Sequence, residues 1–310
     1  MQIHIEKFVF NKLFPSLSGR ESAQYAFCDI VYRVSACEGR EKIGLGGIFM
    51  SFDTSPIKKS ARIDRLLEAY FNARPEIEAD RAVLLTESYK QTENEPETAR
   101  KSKAFVHILE NIPIVIRDNE LIVGSSTLAW RGCQTFPEFS YEWLEAEFET
   151  VAERNADPFY ISDDTKKRLK EANSYWKNKT TSELATAYMD PRALVAMKHN
   201  IFTPGNYFYN GIGHITVKYG DVINNGLCSV IERAEKQLNE MCVGAPDYAS
   251  RRQFCEAVIR SCKGVIRYAE RYAELAEKTA SSCGDPVRRA ELLKIAENCR
   301  QVPGKPARSF

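Results

Sequence analysis

Hydrophobic and polar residues change their spacing part-way along the chain. In the first 55 residues the stretch 27–34 is dense in β-branched and aromatic residues, and 43–52 carries three glycines within an apolar run. Such stretches are typical of strands and turns. After Ser55-Pro56 the apolar residues recur every three or four positions instead, which predicts amphipathic helices. The sequence therefore predicts a β-rich start followed by a mainly helical remainder.

The helical spacing recurs over most of the later chain. Ile63, Leu66, Leu67 and Tyr70 share one helical face, and a further helix is expected after Pro96, ended by Pro113. Its expected buried stripe consists of Phe105, Ile108, Leu109 and Ile112. Other helices are predicted over residues 77–89, 142–154, 165–176, 182–197, 221–240 and 250–279, with a last one carrying Leu292, Ile295, Ala296 and Cys299.

Local signals mark several boundaries. Thr180 followed by Glu183 predicts a capping box, and Gly284-Asp285-Pro286 predicts that one helix ends and another begins. The runs 114–116 and 121–123, separated by a polar tetrapeptide, suggest a small hairpin.

Composition and charge narrow the function classes. The 310 residues carry 43 Lys and Arg against 42 Asp and Glu, a formal net charge of +1, which argues against nucleic-acid or membrane-surface binding. No run of about 18 apolar residues is present, and Glu6 and Lys7 interrupt any secretory signal. We expect a cytoplasmic protein. Its nine cysteines include no C-x-x-C pair, which favours reduced thiols over a disulfide framework and offers no zinc pattern.

The stretch from Pro204 to His214 is the strongest candidate for chemistry. It combines glycines, aromatic residues, two asparagines and a histidine. Glycines allow close backbone approach to a ligand, while amide and imidazole groups hydrogen-bond hydroxyls. The alternation that follows, from Ile215 to Tyr219, predicts a strand. From the residues alone a structural histidine and a simple Asn-Gly turn are the better-supported alternatives. Arg131-Gly132-Cys133 places a thiol beside a cation, but nothing in the sequence indicates a lowered thiol pKa.

Several short motifs, in a fixed order, resemble the pyruvate formate-lyase-like glycyl radical enzymes. The resemblance covers roughly residues 60–310. It rests on Ala73-Arg74-Pro75-Glu76-Ile77, Asp80-Arg81-Ala82, Thr86-Glu87-Ser88-Tyr89, Asp118 to Gly124, Phe136-Pro137-Glu138, Gly205 to Asp221, Ala296 to Cys299, Val302-Pro303 and Pro306 to Phe310.

The resemblance implies an α/β fold. Residues 58–310 would form the N-terminal, mainly helical part of an incomplete ten-stranded barrel, with few short strands. Residues 1–57 would be an unmatched, β-rich N-terminal segment. In this family a radical stored on a backbone glycine passes to a cysteine, which abstracts a hydrogen atom from the substrate, and a separate radical-SAM activating enzyme installs the radical. A buried site protects such a radical from water.

The resemblance also implies a substrate class. The positions matching His214 and Asn206 line the pocket in this family, and the glycerol and propane-1,2-diol dehydratases carry histidine and asparagine there. Choline-cleaving relatives are expected to carry a carboxylate in place of the histidine. Neutral hydrogen-bonding groups suit a small polyol or diol, and the histidine can assist a departing hydroxyl.

No catalytic residue is assigned within this chain. The thiyl cysteine and radical glycine motifs lie beyond the matched part, so no cofactor is expected in this chain. The glycyl radical is expected only in a full-length form, and we expect that form to be a homodimer. We expect an N-terminal fragment of a radical dehydratase that is inactive alone. The alternatives are a formate C-acetyltransferase-type or other glycyl radical lyase, and a non-catalytic truncated relative that acts as a helical partner-binding protein.

Overall fold

The computed structural model describes residues 42–45, 48–51, 60–205, 208 and 215–309, in two compact units that divide after Ile63. The described strands are β1 (Lys42–Leu45), β2 (Ile48–Ser51), β3 (Glu76–Glu78) and β4 (Gly132–Gln134). The described helices are α1 (Ala61–Asn72), α2 (Asp80–Gln91), α3 (Glu97–Asn111), α4 (Glu142–Ala146), α5 (Asp163–Trp176), α6 (Thr181–Ala187), α7 (Pro191–Lys198), α8 (Tyr219–Glu240), α9 (Tyr248–Ser282) and α10 (Pro286–Gln301), with a 3-10 turn at Val151–Glu153.

The first unit contains one antiparallel hairpin among its described residues. Strand β1 pairs with β2 in a register that places Leu45 opposite Ile48 and Lys42 opposite Ser51. The glycine-containing apolar run 43–52 is thus confirmed as strand-forming. The other predicted strand region, 27–34, lies outside the described residues.

The second unit contains a short parallel pair of strands. Ile77 of β3 lies opposite Cys133 of β4, and its amide donates to the carbonyl of Tyr160 at 2.9 Å. The prediction of a helix from residue 77 is therefore wrong at its start, because residues 76–78 pair with distant segments and α2 begins only at Asp80. Ile77 belongs to a core cluster completed by Ala79, Ala82, Leu144, Phe148, Val151, Ile161 and Leu169.

The 35-residue helix α9 organises the helical part. Its alanines at 273, 276 and 280 pack against Leu292 and Ile295 of α10. On another side it runs alongside α3. Arg260 donates to the Ser102 hydroxyl at 2.7 Å, and eleven residues later Arg271 donates to the carbonyls at the end of α3. These carbonyls have no partners inside their own helix, so Arg271 fixes the end of α3.

The predicted buried stripe of α3 is confirmed at Ile112, which is 4% exposed, and wrong at Phe105, which is 42% exposed. Ile108 packs against the core cluster that contains Ala104, and Ser102 and Ala104 are the buried residues within the helix. Helix α9 approaches α3 closely at Gly264 and Val106. Spacing alone predicts an apolar face but not which neighbour covers it.

The predicted hairpin at 114–123 is also wrong. Its turn forms, with the Glu120 amide donating to the Arg117 carbonyl at 3.3 Å, but the flanking residues form no strand. Ile116 and Val123 instead pack against the cluster of α9 and α10. Arginine side chains satisfy the backbone of this segment. Arg288 donates to the carbonyls of Arg117 and Glu120 at 3.0 and 2.8 Å.

Two predicted helices are interrupted. The stretch 142–154 contains α4 and a separate 3-10 turn, and 182–197 contains α6 and α7. The second break follows from Pro191, which occupies the first turn of α7 while Asp190 caps it by accepting from the Arg192 amide at 2.8 Å. The alternating residues 215–219 do not form a strand, because residues 215–218 are irregular and Tyr219 begins α8.

The predicted capping signals are confirmed. Thr180 accepts from the Glu183 amide, and the Glu183 carboxylate accepts from the Thr180 amide. Asp285 caps α10, whose first turn begins with Pro286. None of the described helices is both long and apolar enough to span a membrane.

Candidate functional site

The two pocket residues predicted from the sequence, Asn206 and His214, lie outside the described residues. Among the described residues near them, the amide of Phe208 donates to the carbonyl of Gly205 at 2.9 Å. After His214, residues 215–218 lead directly into α8. Whether Asn206 and His214 share a pocket therefore remains a prediction.

The ends of β3 and β4 carry a polar cluster that sequence reasoning did not assign. Arg81, the second residue of α2, forms a bidentate ion pair with Glu138, with distances of 2.5 and 3.2 Å between guanidinium and carboxylate atoms. Both side chains are less than one-fifth exposed. The Arg81 guanidinium also lies 3.9 Å from the centre of the Phe136 ring. The pair therefore joins two segments that are 57 positions apart in the sequence.

Glu78 joins the same cluster from the end of β3. Its carboxylate accepts from the amides of Ala129 and Leu128 at 2.8 and 3.2 Å, and from the Gln134 side chain at 3.2 Å. A Cβ on Gly132 would lie 2.6 Å from the Cβ of Thr127 and 2.9 Å from Oε1 of Glu78, which explains the glycine at this position of β4. Because three donors already engage the carboxylate, its geometry suits positioning rather than proton transfer.

Cys133 lies beside this cluster and is not an activated thiol. Loss of solvation raises its pKa, and the nearby Glu78 carboxylate raises it further. A raised pKa disfavours the thiolate, which is the reactive form. The other described cysteines, at 228, 242, 255, 262, 283 and 299, are also free thiols. Burial raises the pKa of Cys262 and of Cys299 as well. That the thiols are reduced stays a prediction.

An open groove of about 900 Å³ runs between α2, α3 and the segment 134–139. Aromatic side chains line part of it, and Tyr89 packs on Trp176 with ring centres 5.0 Å apart. Burial raises the pKa of Tyr89, and the adjacent Glu97 carboxylate contributes in the same direction. Arg100 stacks over the Tyr89 ring at 4.4 Å and contacts Glu97. The charged groups that line the groove are largely paired with each other. Such pairing is typical of a surface that packs against other parts of a protein.

No cluster of metal-ligating side chains occurs among the residues that the structure describes. The described part of the chain therefore contributes strand ends, an ion pair and a supporting helical wall. Arg81 and Glu138 both lie in motifs that the sequence analysis singled out. Their contact could not be predicted from the sequence, because it depends on the tertiary fold.

The architecture and these motifs agree with the comparison with known proteins. The family model described as pyruvate formate lyase-like matches residues 54–310. The chain belongs to this family. Among curated members, (2S)-3-sulfopropanediol dehydratase of Klebsiella oxytoca is 31% identical over 254 residues, which cover 80% of this chain and 31% of that protein. Isethionate sulfite-lyase of Desulfovibrio desulfuricans is 31% identical, with 82% of this chain and 32% of that protein covered.

Solved structures of the family show the same fold. The structure describing 1,2-propanediol dehydration in Roseburia inulinivorans has 58% sequence identity and a TM-score of 0.80, and covers 84% of this chain and 31% of that one. The glycerol-bound, B12-independent glycerol dehydratase of Clostridium butyricum has 44% identity and the same TM-score, with 84% of this chain and 33% of that one covered. The chain spans about a third of the length of these relatives. Its helices and few short strands match that part of the glycyl radical enzyme fold.

Proposed function

We propose that the protein containing this chain is a glycyl radical dehydratase that removes water from a small diol or polyol, with propane-1,2-diol as the first candidate. The observation that carries the proposal is the gradient of identity. The chain is 58% identical to the structure described for 1,2-propanediol dehydration and 44% identical to a glycerol dehydratase. It is 31% identical to the sulfonate-processing relatives and 28% to a hydroxyproline dehydratase.

In this proposal His214 and Asn206 contact the substrate. Both side chains hydrogen-bond hydroxyl groups without adding a fixed charge to the pocket. A glycyl radical in the complete protein, installed by a radical-SAM activating enzyme, would supply hydrogen-atom abstraction from the diol and return of that hydrogen atom. His214 would donate a proton to the departing hydroxyl, which leaves as water, while the remaining hydroxyl loses its proton as it becomes the carbonyl of the aldehyde; that proton restores the protonated His214.

The test uses the complete protein, produced without oxygen together with its activating enzyme. Paramagnetic resonance measures the radical, and aldehyde formation is followed with propane-1,2-diol, glycerol and isethionate. We expect a radical and preferential turnover of the diol. Release of sulfite from isethionate, or the absence of turnover despite a full radical signal, would contradict the proposal.

Substitutions separate the pocket from the rest of the chain. His214→Gln and Asn206→Ala should each lower kcat/KM for the diol by about 100-fold, the range expected for loss of a general acid or of a positioned hydrogen bond. His199→Gln is the matched control, since His199 is exposed and follows the end of α7. An equal loss in the control would exclude a specific role for His214. The 310 residues alone should give no radical signal.

A second candidate, a helical partner-binding protein, is favoured by one surface. Large apolar side chains are exposed on both sides of the predicted pocket segment, including Ile201 at 76% and Ile215 at 72%. Where such side chains lie together, they mark an interaction surface. Light scattering on the 310-residue chain discriminates the candidates. A stable complex of defined stoichiometry with no radical chemistry in the complete protein would favour partner binding, whereas a homodimer with turnover agrees with the dehydratase.

A further inference from the structure

Helix α8 contains a break at a single glycine. Gly226 has φ 74° and ψ 166° inside the helix, a conformation that is essentially restricted to glycine. The break removes the intrahelical hydrogen bond that would join the Leu227 amide to the Ile223 carbonyl. A helix interrupted in this way leaves unpaired amides and carbonyls on the two sides of the break.

The segment that follows α10 fills the broken turn. The Leu227 amide donates to the Pro303 carbonyl at 2.8 Å, and the Cys228 amide donates to the Gly304 carbonyl at 2.9 Å. In the opposite direction the Ala307 amide donates to the Ile223 carbonyl at 2.9 Å. Both partners of the missing helical bond are therefore satisfied by residues 303–307, which we call the strap.

The strap is held against α8 and joined to α10. The Gln301 side chain donates to the Pro306 carbonyl at 2.7 Å, and the Lys305 amide donates to the Gln301 carbonyl at 2.8 Å. A Cβ on Gly226 would lie 2.6 and 2.7 Å from backbone carbons of Lys305. Backbone atoms at such distances must move, so the strap fits in this place only because residue 226 has no side chain.

An ion pair braces the two halves of α8. Asp221, before the break, accepts from Arg233, after it, at 2.9 Å. The first half of α8 is therefore tied both to the second half and to the strap. This first half follows directly on residues 215–218, which connect it to the segment carrying Asn206 and His214.

We infer that Gly226 is a positioning residue. By admitting the strap into the broken turn, it sets the direction in which the chain enters α8 from the segment with the predicted pocket residues. The inference rests on the proposed function, because the pocket role of Asn206 and His214 is part of that proposal. Gly226 itself touches no substrate in this account.

The first experiment measures the strap without using activity. Hydrogen exchange at the amides of Leu227 and Cys228 is compared in the wild-type chain, in Gly226→Ala and in Gly220→Ala. Gly220 is the matched control, since it lies in the same helix and a Cβ there meets no atom within 4 Å. Loss of one hydrogen bond to the strap should accelerate exchange about tenfold in Gly226→Ala only. Unchanged exchange in Gly226→Ala would overturn the inference.

The second experiment tests positioning in the complete, radical-bearing protein. With rates normalised to radical content, Gly226→Ala should raise KM for propane-1,2-diol about tenfold, while Gly220→Ala stays within about twofold of wild type. A purely structural role would reduce the amount of active protein and leave KM unchanged. Faster exchange combined with an unchanged KM would therefore overturn the positioning role.

A milder variant covers the case in which Gly226→Ala does not fold. Ala307→Pro leaves Gly226 unchanged and removes the amide that donates to Ile223. It should raise KM in the same direction by a smaller factor. A wild-type protein without diol turnover would refute the proposed function and the positioning role together, whereas the exchange data would still show whether the strap closes the break. The two failures are thus distinguishable.

Discussion

Gly264 lies where α9 approaches α3 most tightly, and Gly264→Ala tests the packing between them. A Cβ at this position would lie 2.7 Å from Cγ2 of Val106 and 3.4 Å from its Cα. Valine in a helix has one strongly preferred rotamer, so its methyl group does not rotate away at low cost. The backbone of α3 stands directly behind it, and Arg260 and Arg271 hold that helix in place.

Two opposing effects set the size of the change. Replacing glycine by alanine inside a helix stabilises it by about 1 kcal/mol. Forcing an extra methyl group into a packed interface costs about 1–3 kcal/mol. Because the nearest contact is well under 3.0 Å and involves a rigid partner, we expect the steric cost to exceed the gain, with a net destabilisation of about 1–2 kcal/mol.

A double-mutant cycle measures the clash directly. Urea unfolding of wild type, Gly264→Ala, Val106→Ala and the double variant is followed by tryptophan fluorescence. Trp176, the last residue of α5, contributes to this signal and is buried against α2 and α3. Val106→Ala creates the space that the methyl group added by Gly264→Ala needs, so the double variant should be more stable than the sum of the single changes predicts by about 1 kcal/mol or more. Additive effects, or a stabilising Gly264→Ala, would refute the reasoning.

Three further predictions concern charges and a cap. Arg117→Gln should lower the free energy of unfolding by about 3 kcal/mol in urea titration, because the Arg117 side chain is only 9% exposed and donates to several backbone carbonyls. As a control, Arg192→Gln, at an exposed position, should change the free energy of unfolding by less than about 1 kcal/mol. Thr180→Ala should cost about 1–2 kcal/mol in the same assay through loss of the capping box. Hydrogen bonds from Arg233 and, to a smaller extent, Asn225 lower the pKa of Asp221 to about 2. The stabilisation from this carboxylate should therefore be complete above its unfolded pKa near 3.8 and lost as pH falls through about 2. Arg233→Gln should raise the pKa of Asp221 in the folded protein, measured by NMR titration.

Local signals allowed much of the helical part to be predicted. The capping box at Thr180 and the Asp285-Pro286 start of α10 depend on residues within one turn of each other. Their chemistry is therefore complete in the sequence. The same holds for the glycine-containing run that forms β1 and β2.

The elements that were predicted incorrectly depend on distant partners. Ile77 lies in a strand because its amide pairs with Tyr160. Ile116 and Val123 do not form a hairpin because they pack on α9 and α10. The break at Gly226 is stabilised by residues almost eighty positions away. In each case a long-range hydrogen bond or contact overrides the local pattern, and a single sequence carries no direct record of it.

The motifs that carried the family resemblance meet in pairs in the structure. Arg81 of one motif forms its ion pair with Glu138 of another, and the strap, Pro303 to Ala307, closes the helix that follows the motif Gly205 to Asp221. These contacts give a physical reason for the order and spacing of short motifs that are weak individually. Each pair fixes one segment of the chain relative to another. One of these fixed segments, α8, follows the segment with Asn206 and His214 in the sequence. The described part of the chain is thus best understood as a support that fixes these motif segments relative to one another.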